Sequence, residues 1–208
     1  MKSGFSRLAV WLALFCCNCF VFAEFSRADL ITAQLEGNSG FSGNNYPGQS
    51  VFFTGTQSYD NLLFNWFSTI PGGPPNTAVG GAFATGTLVL LSQSYAGTPN
   101  NLDNTTPGFI ASANASGGNY VFASNVTVAP NTFYFFYQKD PAIGFIMNSN
   151  STYVGEGFRA SGATTNFIAN VDMAFRFQGT AVPEPSLIIL LTISAGSLVF
   201  RRRSRNCG

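Results

Sequence analysis

The sequence predicts an all-β fold, an antiparallel β-sandwich of jelly-roll or immunoglobulin-like type, flanked by an N-terminal signal helix and a C-terminal membrane helix. Aromatic residues make up 15% of the 208 residues and charged residues 9%, and this balance with abundant Gly, Asn, Ser and Thr is typical of β-rich proteins. Along residues 171–178 large apolar side chains alternate with polar ones, which predicts a strand with one core face. On this pattern Asp172 is expected to face solvent or to pair with Arg176. No segment between the two chain ends shows a sustained helical period.

The N-terminal segment has the features of a secretory signal. Lys2 and Arg7 precede an apolar stretch over residues 8–22, and Val21 and Ala23 are the small or aliphatic residues that a signal peptidase inspects. We therefore expect residues 1–23 to be a signal peptide, handled by the Sec machinery and signal peptidase. The exported domain is expected to span residues 24–181.

Cysteine and charge limit the partners of the exported part. Cys16, Cys17 and Cys19 lie in the signal and Cys207 lies near the C-terminus, so no disulfide framework is available and the domain depends on its hydrophobic core. Between residues 24 and 186 there are nine acidic and four basic residues, a net charge of −5. Without a basic patch, nucleic acid is not an expected partner.

The exported part divides into about nine short predicted strands, enough for one domain. The predicted strands cover residues 30–36, 50–54, 61–67, 86–92, 120–128, 132–138, 144–147, 152–158 and 171–178. Turn-forming clusters separate them, at residues 37–40, 71–75, 99–101, 107–108, 129–131 and 162–163. The strand at 132–138 is aromatic on both faces, which predicts burial on both.

The last 27 residues contain three parts in a fixed order. A short extended motif comes first, because the two prolines fix φ on either side of the glutamate and disfavour helix; it consists of Val182, Pro183, Glu184, Pro185 and Ser186. An apolar run over residues 187–200 follows, shorter than the roughly twenty residues that span a bilayer comfortably. A basic cluster comes last, and it is expected to stay on the cytoplasmic side and so to set the orientation of the apolar segment. The cluster consists of Arg201, Arg202, Arg203 and Arg205.

This tail resembles a PEP-CTERM sorting signal, which exosortase-type membrane proteases or transpeptidases recognise in exported bacterial proteins. The resemblance implies an inner-membrane intermediate, removal of the residues after the motif, and delivery to the cell surface or an extracellular polysaccharide matrix such as a biofilm. The passages around residues 125–137 and 171–178 are similar to those of small β-sandwich domains that carry such tails.

The chain contains no histidine, and its exported part contains no cysteine. The commonest general base and the usual zinc ligands are therefore missing. We expect no catalytic residues, no metal site and no cofactor, and hence a structural or adhesive protein that is not an enzyme.

Two other functions remain open. The first is carbohydrate binding on an aromatic platform formed by Trp66, Tyr59 and Tyr134, with core packing as the competing interpretation. The second, more distant, is a secreted glycoside hydrolase that uses paired carboxylates. The scattered candidates for such a pair are Asp60, Asp103, Asp140, Glu156 and Asp172.

Overall fold

The computed structural model describes residues 28–35, 37, 39–40, 44–67, 82–83, 85–143, 145–149 and 151–182. The predicted signal helix and membrane helix lie outside these residues. The described part is all-β and antiparallel, which confirms the predicted class. Its strands are β1 (Asp29–Gln34), β2 (Ser39–Gly40), β3 (Asn44–Phe52), β4 (Tyr59–Phe67), β5 (Ala82–Phe83), β6 (Thr87–Leu91), β7 (Phe109–Ser116), β8 (Asn119–Val121), β9 (Phe133–Gln138), β10 (Ala142–Ile143), β11 (Ile146–Asn148), β12 (Gly157–Ala160), β13 (Ile168–Asn170), β14 (Asp172–Met173) and β15 (Phe175–Ala181).

Most of these strands belong to one sheet. Ten of them follow the order β1-β15-β4-β8-β7-β6-β9-β3-β12-β13, and β5 and β10 add to β4 and β3. The sheet is strongly curled into a half-barrel. A second, three-stranded sheet has the order β14-β11-β2.

One face of the curled sheet encloses a core rich in phenylalanine. Phe64 on β4 stacks on Phe136 of β9 with ring centroids 4.3 Å apart, and on Phe175 of β15 at 5.6 Å. Phe177 meets Phe136 edge to face at 5.1 Å. These rings are fully buried, and paired aromatics in such geometries stabilise the fold beyond their buried area.

The opposite face of the central strands is covered as well. Tyr137 on β9 lies in a second buried cluster with Phe158, Phe167 and Leu102. The segment between β6 and β7, which includes a 3₁₀ turn at Pro99–Asn101, supplies Leu102 to that cluster. The prediction that β9 carries aromatic residues in both core layers is therefore confirmed for Phe136 and Tyr137.

The strand predicted at 171–178 is divided in two. β14 pairs with β11, and after Ala174 the chain continues as β15 between β1 and β4. Ala174 holds the junction, because its N–H donates to the Ile146 carbonyl at 2.8 Å and its carbonyl accepts from Phe67 at 3.1 Å. The alternation was interpreted correctly for Met173, Phe175 and Phe177, all of which are buried.

The expected position of Asp172 was wrong. The side chain is buried and accepts a hydrogen bond from Gln49 Nε2 at 3.0 Å. The Arg176 guanidinium instead lies over the Phe67 ring, 5.3 Å from its centroid. Near Asp172 the second face of the strand is therefore covered by β3. The alternation of residues 171–178 could not show this, because β3 is distant in sequence.

Other strand predictions differ in extent. Within 120–128 only the first residues are in β8, and the remainder forms turns and one bridge, Tyr59 to Val128. The predicted strand at 152–158 begins only at Gly157, and β7 was not predicted. β7 consists mainly of Ala, Ser and Asn, which are poor strand signals in isolation.

Candidate functional site

The two ends of the described domain lie side by side. Asp29, at the start of β1, pairs with Gly179 near the end of β15. Ala181 pairs with Tyr59, and the Val182 N–H donates to the Ser58 carbonyl at 2.9 Å. The chain therefore enters and leaves the sheet at the same end, which we call the tail-exit end.

The predicted sorting motif begins at Val182, whose N–H makes the last described backbone hydrogen bond of this part of the chain. Val182 is both the first motif residue and the last described residue. A proline follows it, and Pro183 has no N–H to donate to a further ladder bond. Cleavage after Val182 would leave the described hydrogen bonds of β15 in place. The rest of the motif and the arginine cluster lie outside the described residues: Pro183, Glu184, Pro185, Ser186, Arg201, Arg202, Arg203 and Arg205.

The three residues expected to form a sugar platform do not form an exposed surface. Trp66 is 0% exposed and packs edge to face against Phe64 at 4.7 Å. Tyr134 is buried, and its hydroxyl accepts a hydrogen bond from the Ala129 N–H at 2.8 Å. Tyr59 is half-buried against Phe53. All three belong to the inner core or pack on it, because β4 and β9 turn these side chains inward.

Three of the five candidate hydrolase carboxylates accept hydrogen bonds from described residues near them. Asp140 accepts from the Thr87 N–H at 2.7 Å, and Asp60 accepts from the neighbouring Asn61 amide. Asp103 accepts from the Thr105 hydroxyl and N–H, and these bonds lower the pKa of the Asp103 carboxyl. Among the described residues no group of three His, Cys, Asp or Glu side chains is placed to hold a metal ion.

Asp172 takes part in a buried polar network with Gln49. The Gln49 side chain is 0% exposed; its Nε2 donates to Asp172 and to the Ser50 carbonyl, and its Oε1 accepts from the Met173 N–H at 2.8 Å. The network joins β3 to β14 and so ties the small sheet to the large one. Its role is to hold the fold, since buried polar groups cost stability unless they are paired.

A groove of about 490 Å³ lies beside the edge strand β1. It is lined by residues 33–35 and 151–154. Gln34 reaches across it to the Ser151 hydroxyl at 3.4 Å. The Tyr153 hydroxyl accepts from the Phe52 N–H at 2.9 Å, and burial raises the pKa of Tyr153 to about 12. This segment therefore links β1 to β3 across the opening of the half-barrel.

Exposed aromatic rings occur at a place that sequence reasoning missed. Phe133 is 40% exposed and its ring centroid lies 4.8 Å from that of the half-buried Phe52. The two residues are cross-strand partners on β9 and β3. The one signal in the sequence is position, because Phe133 comes two residues after the Pro130-Asn131 turn and is the first residue of β9.

Comparison with known proteins adds no relationship to this geometry. Across the part of the chain that the structure describes, no helix combines the length and apolar character needed to pass through a bilayer. No protein-family model, no curated protein and no solved structure matches this chain.

Proposed function

We propose that this chain is an exported cell-surface or extracellular-matrix protein, delivered by its PEP-CTERM-like tail and serving a structural or adhesive role. The observation that carries the proposal is the three-part tail, which follows directly on the last strand of the sheet. An exosortase-type membrane protease or transpeptidase is the partner that this tail implies. The extracellular polysaccharide matrix is the proposed destination.

The arrangement of the chain ends supports this proposal. Both the predicted signal and the predicted tail would leave the domain at the tail-exit end, because Asp29 pairs with Gly179. A domain with adjacent ends can fold outside the membrane while both apolar segments remain in it. The orientation agrees with basic residues at both chain ends staying on the cytoplasmic side.

The domain's own hydrogen bonding supports release by processing. β15 lies between β1 and β4, so the last strand is inside the sheet and holds its place by backbone bonds on both edges. Loss of the tail beyond Val182 would remove none of these bonds. The processed domain would therefore stay folded at its destination.

The finer architecture is also proposed. The curled sheet and the small sheet β14-β11-β2 enclose one core, as the layers of a sandwich do. We infer that the domain is a variant β-sandwich of the jelly-roll or immunoglobulin-like group. A role without catalysis is favoured because the chain lacks histidine and several candidate carboxylates already accept hydrogen bonds within the fold.

Mass spectrometry of the cell-surface and medium fractions tests the sorting step. The parent chain is expected to yield a form that lacks the arginine cluster. A triple variant with Pro183→Ala, Glu184→Ala and Pro185→Ala is expected to remain unprocessed in the membrane. Ser204→Ala, also in the tail but outside the motif, is the matched control and should be processed like the parent.

Processing of the triple variant at the parental rate would contradict recognition of the motif. Finding only chains that retain Arg201–Arg205 in the parent would contradict processing altogether. In either case the described domain would need another route to its location.

A further inference from the structure

Several loops and strand ends meet at the tail-exit end. Val182 is bonded to Ser58, and the bridge between Tyr59 and Val128 joins the start of β4 to the segment before β9. The Asn131 N–H donates to the Phe53 carbonyl at 2.8 Å. The end of β3 and the start of β9, which carry Phe52 and Phe133, therefore lie at the same end of the sheet as the exit of the tail.

This end carries an apolar patch, defined here as the cross-strand pair Phe52 and Phe133. Phe133 is 40% exposed and Phe52 is half-buried. Their ring centroids lie 4.8 Å apart, so the two rings form one continuous apolar surface.

The charges of the described domain are unevenly placed. The cationic residues of the described part, Lys139, Arg159 and Arg176, lie away from the tail-exit end: Arg159 pairs with Pro47 at the start of β3, and Arg176 pairs with Asn65 late in β4. Lys139 follows the far end of β9. Asp29 and Asp60 are close to the tail exit. A strongly anionic partner is therefore disfavoured at this end.

The chain between Val182 and the predicted membrane segment is short, and this limits how far the patch can lie from the bilayer. From Val182 to the apolar run at 187–200 there are five residues, which span at most about 17 Å when fully extended. If that run lies in the membrane, the tail-exit end is held close to the headgroup layer. Apolar side chains of this kind bind at the boundary between headgroups and acyl chains.

We propose that the patch docks on the outer surface of the membrane, with Phe52 and Phe133 inserted at the headgroup boundary of neutral lipids while the tail is still attached. This inference rests on the proposed membrane-held tail and adds the surface that faces the bilayer. Docking would fix the orientation of the domain and hold the motif at a constant distance from the membrane. Removal of the tail would free the patch.

Fluorescence quenching in vesicles tests the docking. The full chain in a Trp11→Phe background is reconstituted into phosphatidylcholine vesicles, with or without brominated acyl chains, and a single tryptophan is added by Phe133→Trp. Ile168→Trp is the matched control, because Ile168 is 58% exposed and pairs with Arg159 at the opposite end of the sheet. The buried Trp66 is common to all variants and is subtracted with the background chain.

Brominated lipid is expected to quench most of the added signal of Phe133→Trp and to blue-shift its emission, and to leave Ile168→Trp unchanged. Phe52→Trp provides a second probe if Phe133→Trp does not fold, because Phe52 is its cross-strand partner. Equal quenching at both ends, or none at the tail-exit end in chains that co-float with vesicles, would overturn the docking. Failure of the chain to co-float would instead contradict the membrane-held tail. A response of Phe133→Trp to added neutral polysaccharide, without quenching by lipid, would assign the patch to a glycan and also overturn the proposal.

Discussion

Replacing Gln49 by leucine is expected to destabilise the domain strongly, although the two side chains are similar in size. Gln49 is fully buried and makes three hydrogen bonds, to Asp172, to the Ser50 carbonyl and from the Met173 N–H. Leucine can make none of them. The Met173 N–H and the Asp172 carboxylate would both lose this partner inside the fold.

The magnitude follows from those two groups. A buried N–H left without a partner costs about 1–3 kcal/mol, and loss of a hydrogen bond to a charged group costs about 1.5–3 kcal/mol. Burial of the leucine side chain offsets part of this loss. We expect Gln49→Leu to lower the free energy of unfolding by about 2–4 kcal/mol.

Denaturant unfolding followed by Trp66 fluorescence measures this change, because Trp66 is fully buried and its emission should shift when the core opens. Gln57→Leu is the matched control: Gln57 is exposed, and an exposed substitution is expected to stay within about 0.5 kcal/mol of the parent. In the double variant with Asp172→Asn the two losses should not add, since both residues belong to one network. A free energy for Gln49→Leu equal to that of Gln57→Leu would refute the reasoning.

Three further predictions concern the core, the pH dependence and a close backbone contact. Phe136→Ala should cost about 3–5 kcal/mol of unfolding free energy because the ring is fully buried among aromatic neighbours, whereas Phe133→Ala should cost far less; similar losses in urea unfolding would contradict the assigned burial. Burial raises the pKa of Tyr153 to about 12 in the folded domain, against about 10 when unfolded, so the free energy of unfolding should fall as the pH rises from 10 to 12. Tyr153→Phe removes the titrating hydroxyl and should reduce the slope of unfolding free energy against pH by the equivalent of up to one proton. An unchanged slope would argue against the buried hydroxyl. Gly157→Ala would push a methyl group into the Val171 carbonyl and should lower the melting temperature, while Gly162→Ala, which meets nothing closer than 3.7 Å, should not; equal melting temperatures would show that the backbone adapts.

The sequence by itself determined the class of the fold. Aromatic-rich segments between Gly, Pro and Asn clusters predicted strands at β1, β4, β6 and β9 close to their observed positions, because alternation and turn chemistry are local properties. The turn before β9 is an example, since Asn131 adopts a positive φ of 58° that asparagine tolerates. The signal and the tail stay predictions from local pattern.

Tertiary structure decided which apolar and polar side chains are covered. From the sequence, core packing was the favoured interpretation of Trp66 and Tyr134 and a sugar platform the alternative; the structure shows that both side chains are buried. Asp172 looked exposed from its own strand, but Gln49, 123 residues away in the chain, supplies its partner. β7 escaped prediction because small residues become a strand only when β6 and β8 pair with them. Burial depends on neighbours that are distant in sequence. The apolar patch at the tail-exit end could therefore be identified only from the tertiary structure.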